Sequence, residues 1–339
     1  MTDAKQLLLN DHGKTRNRRP ISGVFGPIGS GARAAIMTDY FLCGWRVHSE
    51  LNLPELAPWS GDDRQPDVVI RLGEVPERLD DLVEDSPFQQ IDRRGNCMLR
   101  IEKVAAYLVT GPHQVIVAPR PGVGEAEIRV FLLSSVFGYL CHLRGLFPLH
   151  GSCVAIGGKA VAFCGPSGAG KSTTAVQLAL RGHRLLADDV CVIDAHAEAG
   201  PQVLPAFPRL KLWEDTLAAF NISREGLDRN RFGQDKYHYR PIESFLAAPV
   251  PLGGVFLLRR AGPDAPEESV QLSRPAEKIA ALSEEMFRPR EGAALGKTPS
   301  LLAAQGLVAG STPIWRLTRR FDLADMDRWL RQIETLIES

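Results

Sequence analysis

Residues 164–173 read CGPSGAGKST, and within them Gly165-Pro166-Ser167-Gly168-Ala169-Gly170-Lys171-Ser172 satisfies the spacing GxxxxGK[ST]. No other stretch of the chain restricts its folding so tightly. Glycines at these positions let successive backbone N–H groups turn inward around phosphate oxygens. The lysine reaches the outer phosphates, and the hydroxyl binds the accompanying magnesium. The geometry requires a strand running in and a helix running out, whose positive dipole end faces the same anion. The apolar run AVAFC (160–164) supplies the strand, and a helical pattern from Thr173 to Arg181, ended by Gly182, supplies the helix. The expected nucleotide-binding set is therefore Gly165, Pro166, Ser167, Gly168, Ala169, Gly170, Lys171, Ser172 and Thr173. The expected fold is α/β.

A second glycine-rich stretch, GPIGSGARAA at 26–35, has a similar rhythm but fails the same test. Ala32 and Arg33 follow Gly31 where a lysine and a hydroxyl are needed, and no clear strand precedes it. It reads as a flexible connector.

The rest of the chain organises around this loop. Residues 1–37 form a polar N-terminal arm whose basic run, KTRNRR (14–19), is either a contact arm or a solvated terminus. From 38 to 124, short alternating runs such as PDVVIRLGEV and HQVIVAPR predict a small, mostly antiparallel β domain. Residues 125–146 carry apolar side chains at helical spacing (Ile128, Phe131, Leu132, Val136, Tyr139, Leu140, Leu143) and predict a bridging helix that Gly145 ends. Residues 147–339 alternate strands and helices, the pattern of a P-loop α/β domain. Within it, 261–269 and the Gly-rich 297–313 read as surface loops. The last helix carries Leu323, Met326, Leu330, Ile333 and Ile337 on one face, as core or as an oligomer seam.

Forty Lys and Arg balance forty Asp and Glu, so nothing global argues for nucleic acid or an acidic membrane surface. The most apolar window, 130–143, is shorter than the roughly 20 residues a bilayer requires. Cys43, Cys97, Cys141, Cys153, Cys164 and Cys191 form no CxxC pair. They predict reduced, buried thiols rather than a disulfide framework or a zinc knuckle. The expected location is the cytoplasm.

Catalytic chemistry is predicted where the strand RLLA ends in Asp188 and Asp189. One carboxylate suffices for the magnesium shell, and the other, turned the opposite way, is available to take a proton from an attacking hydroxyl. The competing reading makes the pair a turn with one metal contact. His150, in PLHGS, enters just before the first strand of the domain, either to orient an acid near the loop or as a hydrogen-bonded structural histidine.

Residues 149–189, LHGSCVAIGGKAVAFCGPSGAGKSTTAVQLALRGHRLLADD, resemble the catalytic core of the HPr kinase/phosphorylase family. The LHG entry, the P-loop, RGHRL and the paired ADD occur in order and without gaps. The resemblance implies a nucleotide fold shared with PEP carboxykinases, ATP and Mg²⁺ as cofactors, and a serine hydroxyl as phosphoryl acceptor. It further implies Asp189 as general base, Asp188 as its metal-side neighbour, His150 as the active-site histidine, and P-loop roles for Lys171 and Ser172. The family's downstream signature Leu-Glu-Ile-Arg-Gly is absent. Glu214, in RLKLWEDTL, stands near its metal-binding glutamate, with Asp215 as competitor. Arg231, Lys236 and Arg240 are candidates for phosphate contact, or are solvated surface.

Without that signature, reverse phosphorolysis and HPr itself are less firmly implied. The N-terminal half is similar instead to HPr-kinase-related proteins of peptide-maturation clusters, such as lasso-peptide clusters. That likeness implies a serine-bearing peptide or small protein as partner, with homo-oligomerisation also open. A kinase for a small hydroxylated metabolite such as free serine, and a non-catalytic ATP-binding regulator, are the alternatives.

Overall fold

Cys43 and Gly44 both take positive φ, 54° and 79°, the conformation a two-residue hairpin needs to match strand twist. They join Thr38–Leu42 to Trp45–Ser49, with Leu42 opposite Trp45. The computed structural model describes residues 37–229, 235–262, 264, 266–320 and 325–338. The glycine-rich stretch 26–35, the basic run 14–19 and Arg231 lie outside the described residues.

The hairpin belongs to a nine-stranded sheet built from Thr38–Leu42 through Gln114–Pro119. Most neighbours are antiparallel, but Val68–Leu72 runs parallel to both Trp45–Ser49 and Gln114–Pro119. Strict alternation buries Trp45, Val47 and Ser49 on one face, as a half-buried strand requires.

The bridging helix over Glu125–Leu143 is kinked at a π turn, Leu132–Val136, where Leu133 leaves helical dihedrals (φ -88°, ψ 15°). By length and composition this segment could span a bilayer, yet most of it is buried inside the protein, so its apolar surface is accounted for as core. Gly138 is required there, since a Cβ would stand 2.8 Å from the Phe287 ring.

The second nine-stranded sheet runs in the order Phe147–Leu149, Cys191–Asp194, Gln202–Leu204, Val250–Arg260, Lys159–Cys164, Gly151–Ile156, Arg184–Ala187, with Ile314–Arg319 also beside Val250–Arg260 and Glu268–Gln271 on the far side of Ile314–Arg319. Val250–Arg260 is its spine, parallel to Lys159–Cys164 on one side and to Ile314–Arg319 on the other. Phe163, Phe256 and Trp315 stack across these three strands at 5.8 and 4.7 Å. Lys171–Leu180 and Met326–Glu338 pack against the sheet. Met326, Trp329, Leu330, Ile333 and Ile337 are thereby buried within this chain, so the last helix spends its apolar stripe on core. Leu323 lies outside the described residues.

One sequence expectation is corrected. Residues 297–313 are not a loop but hold the helix Thr298–Ser311. Leu301, Ala304, Gln305, Val308 and Ala309 are buried at helical spacing. Gly306 and Gly310 face open space. The helix itself carries no charge to mark a polar face, and its glycines read locally as loop, so tertiary burial outweighed propensity. The helices Pro275–Glu284 and Pro289–Ala294 were likewise not anticipated.

Candidate active site

The strand Lys159–Cys164 delivers the chain to Gly165, whose φ of 143° and position admit only glycine: a Cβ would stand 2.4 Å from the Leu258 carbonyl oxygen. Gly168 and Gly170 take φ of 83° and 90°, and the helix starts at Lys171. Lys171 folds back over the loop, its Nζ donating to the carbonyls of Gly165 (2.7 Å) and Pro166 (3.3 Å). Burial lowers its ammonium from the usual lysine value.

Arg184–Ala187 runs directly into the aspartate pair. Asp188 is buried, and every hydrogen bond it accepts ties a different element to it. Oδ1 accepts from Ser152 (2.5 Å) and from the P-loop Ser172 (2.8 Å), while Oδ2 accepts from the backbone N–H of Lys211 (2.8 Å). Asp189 then takes the left-handed conformation, φ 73°, uncommon outside glycine. That turn sends its carboxylate away from Asp188. Oδ2 accepts from Lys211 Nζ at 2.6 Å, and Oδ1 lies 3.8 Å from His150 Nδ1.

His150 Nδ1 is 3.0 Å from the Asp189 carbonyl oxygen. A carbonyl only accepts, so Nδ1 carries the proton and Nε2 is left as the basic nitrogen. The ring lies 5.9 Å from Phe287, and the His150 backbone N–H donates to the Glu285 carbonyl at 2.7 Å. Burial, then the Lys171 charge, lowers its pKa, so the neutral imidazole is favoured. For Asp189, burial alone would raise the carboxyl. The Lys211 ammonium, joined by His150 once it is protonated at acid pH, outweighs it and holds the group well below the usual carboxylate range.

A two-stranded ribbon forms the opposite wall. Leu210–Trp213 pairs with Lys236–Tyr239, Lys211 opposite His238 and Trp213 opposite Lys236. The two-residue period sends Leu210, Leu212 and Tyr237 into the core and turns Lys211, Trp213 and Lys236 to the cleft. The cleft, about 260 Å³, is completed by the P-loop, His150, Asp188, Asp189, Asp215, Thr216 and Arg260.

Of the residues expected from sequence, His150, Ser167, Gly168, Gly170, Lys171, Ser172, Thr173, Asp188, Asp189 and Lys236 line this one space. Glu214 does not. It opens a short helix and pairs with Arg224 on the surface. Its neighbour Asp215 lines the cleft, since adjacent helical residues point about 100° apart. Arg240 donates to the Pro54 carbonyl at 2.9 Å and is not part of the lining. Lys211, Trp213, Thr216 and Arg260 were missed. The alternation in RLKLW was the available signal, because it separates Lys211 and Trp213 from the leucines.

The described residues contain no cluster of three or more His, Cys, Asp or Glu arranged for a metal. The oxygens of Ser172 and Asp188, 2.8 Å apart, fit the hard donor set of Mg²⁺, which usually takes one or two carboxylates and fills its shell with phosphate and water.

Residues 144–204 match the family model of the HPr Serine kinase C-terminal domain. The chain is 44% identical over 81 residues to the HPr kinase/phosphorylase of Limosilactobacillus reuteri, covering 22% of this chain and 25% of that protein. It is 51% identical over 80 residues to that of Chlorobium phaeobacteroides, covering 22% and 24%. The HPr kinase/phosphorylase of Lactobacillus delbrueckii subsp. bulgaricus is 29% identical over 134 residues, 39% of this chain and 42% of that protein. Among solved structures, the Hpr(Ser) kinase/phosphatase from Coxiella burnetii aligns with 13% identity and a TM-score of 0.29, covering 56% of this chain and 93% of that one. The chain is thus HPr kinase-related over its P-loop segment, and spans between about a quarter and two fifths of the length of these curated relatives.

Proposed function

We propose that this HPr kinase-related chain is an ATP-dependent kinase that transfers the γ-phosphoryl group to a serine hydroxyl of a peptide or small protein. One observation carries the reading. A carboxylate outside the P-loop's own hydrogen bonds, Asp189, shares a cleft with Lys171, Ser172 and a neutral His150.

In this reading the P-loop amides and Lys171 hold the triphosphate, with Lys236 and Arg260 at the rim adding positive charge. Ser172 and Asp188 would hold Mg²⁺, which would supply charge neutralisation to the triphosphate. The acceptor oxygen forms a bond to the γ-phosphorus as the bond to the bridging oxygen breaks. ADP leaves with that electron pair, and the hydroxyl proton passes to Asp189. A protein-size acceptor is favoured by the relatives named HPr kinase/phosphorylase, and a peptide acceptor by the N-terminal likeness described above.

A second reading, an ATP-binding regulator without transfer, is favoured by the close Lys211–Asp189 pair, since a carboxylate held so acidic is a weak base.

Incubation with γ-labelled ATP, Mg²⁺ and a panel of serine peptides, HPr and free serine separates the readings. Label on a peptide or protein serine, lost in Asp189→Asn, is the expected result. Label on free serine alone would make this a metabolite kinase. ATP binding with no transfer to any acceptor would leave the regulator.

A further inference from the structure

The aspartate pair is held by one residue that neither the P-loop pattern nor the match to residues 144–204 includes. Lys211 reaches Asp188 through its backbone N–H and Asp189 through its side chain. The ribbon makes this possible. Pairing with His238 fixes the backbone of Lys211 beside the end of Arg184–Ala187, and the strand period turns its side chain into the cleft. The side chain is only 11% exposed, so solvent does not replace its partner.

We infer that Lys211 is the positioning residue of the site, holding Asp189 by Oδ2 so that Oδ1 alone is presented to the acceptor, and cancelling the carboxylate's charge toward an incoming triphosphate. This rests on the kinase reading for its catalytic half only, because the charge half concerns nucleotide binding.

Two further observations support it. Of the other cations near the pair, Lys171 donates to the loop carbonyls of Gly165 and Pro166, and Arg209, two residues before Lys211 in the chain, is fully buried. It faces Glu55, with Nη1 3.9 Å from Oε1. Lys211 is therefore the cleft-side counter-ion of Asp189. Second, Oδ1 of Asp189 is the oxygen on the His150 side, 3.8 Å from Nδ1. With Oδ2 occupied, an acceptor proton has one oxygen to reach, and a free carboxylate rotor becomes a fixed one.

The test is a double-mutant cycle on ATP affinity, measured by calorimetry with the full chain, together with steady-state transfer kinetics. In Lys211→Met the uncompensated Asp189 should repel the triphosphate, raising the Kd for ATP about tenfold, the scale of one close charge pair. Adding Asp189→Asn in that background should restore most of the affinity. Lys211→Arg, which keeps the charge and the donor, should stay within about threefold of wild type for binding. Transfer by Lys211→Met should fall about a hundredfold in kcat with little change in the acceptor KM, as expected when positioning rather than acceptor binding is lost. Lys211→Arg should recover much of it.

Unchanged ATP affinity in Lys211→Met, or strictly additive effects in the cycle, would overturn the inference. If the cycle shows coupling but wild type transfers to no acceptor, the kinase reading falls and the charge role of Lys211 stands. If transfer occurs and the cycle is additive, the reverse holds.

Discussion

Glu55 and Arg209 meet inside the protein, Oε1 to Nη1 at 3.9 Å, with Glu55 4% and Arg209 1% exposed. Glu55 comes from the N-terminal half, and Arg209 leads into the strand that carries Lys211. Glu55 also accepts from Arg129 Nε of the bridging helix at 2.9 Å. Arg209 gains a ring contact as well, its guanidinium 4.8 Å from Phe207. The connection between Trp45–Ser49 and Ala57–Pro58 thus supplies the anion that two buried guanidinium groups share.

Replacing Glu55 by Gln should accordingly be expensive. Breaking a buried pair from one side leaves uncompensated charge, and a loss of about 3–5 kcal/mol in unfolding free energy is expected. Urea denaturation of Glu55→Gln measures it. A change below about 1 kcal/mol, the scale of an exposed pair, would show that Glu55 is not the counter-ion of Arg129 and Arg209.

His238 predicts an acid-sensitive fold. Burial first, then the charges of Arg209 and Lys211, lowers its pKa to about 2, against about 6.5 in an unfolded chain. Between those values the unfolded state binds a proton that the folded state refuses. The stabilisation is complete above about pH 6.5 and is lost progressively as pH falls from there toward about 2. Urea midpoints from pH 7.5 to 5.0 should fall for wild type, and less steeply for His238→Asn. Parallel slopes would exclude His238 as the cause.

Gly165→Ala places a Cβ against the Leu258 carbonyl and forces alanine to φ 143°. The loop must shift, and ATP binding is expected to weaken by at least about tenfold, since the amide cradle depends on these dihedrals. Calorimetric titration with ATP reads this directly, and an unaltered Kd would mean the loop tolerates the strain.

The two neighbouring acids should behave oppositely. Glu214→Gln touches a surface pair with Arg224 and should change Mg-ATP affinity less than twofold. Asp215→Asn alters the cleft lining and should change affinity and its Mg²⁺ dependence. Equal effects from both would count against the placement of Glu214 outside the site.

Local pattern alone set much of the site. The P-loop was legible because each of its residues answers to backbone geometry within eight positions, and the aspartate pair because a strand end is a local event. The alternation of strands and helices around them was likewise readable from period and punctuation. What lay beyond reach joined distant parts of the chain. Helix Thr298–Ser311 formed against its own glycines because burial of Leu301, Ala304 and Val308 outweighs propensity. Lys211 and Asp189 are separated by 22 residues, and only pairing of the ribbon and the left-handed turn at Asp189 bring ammonium to carboxylate. Glu214 and Asp215 were indistinguishable as letters, and the direction in which their helix starts separated them. The sequence by itself determined where the glycine-rich turn and the aspartate pair stand in the chain. Tertiary structure decided which charges face one another across the cleft, because electrostatic pairing depends on distance in space, and the order of residues does not record it.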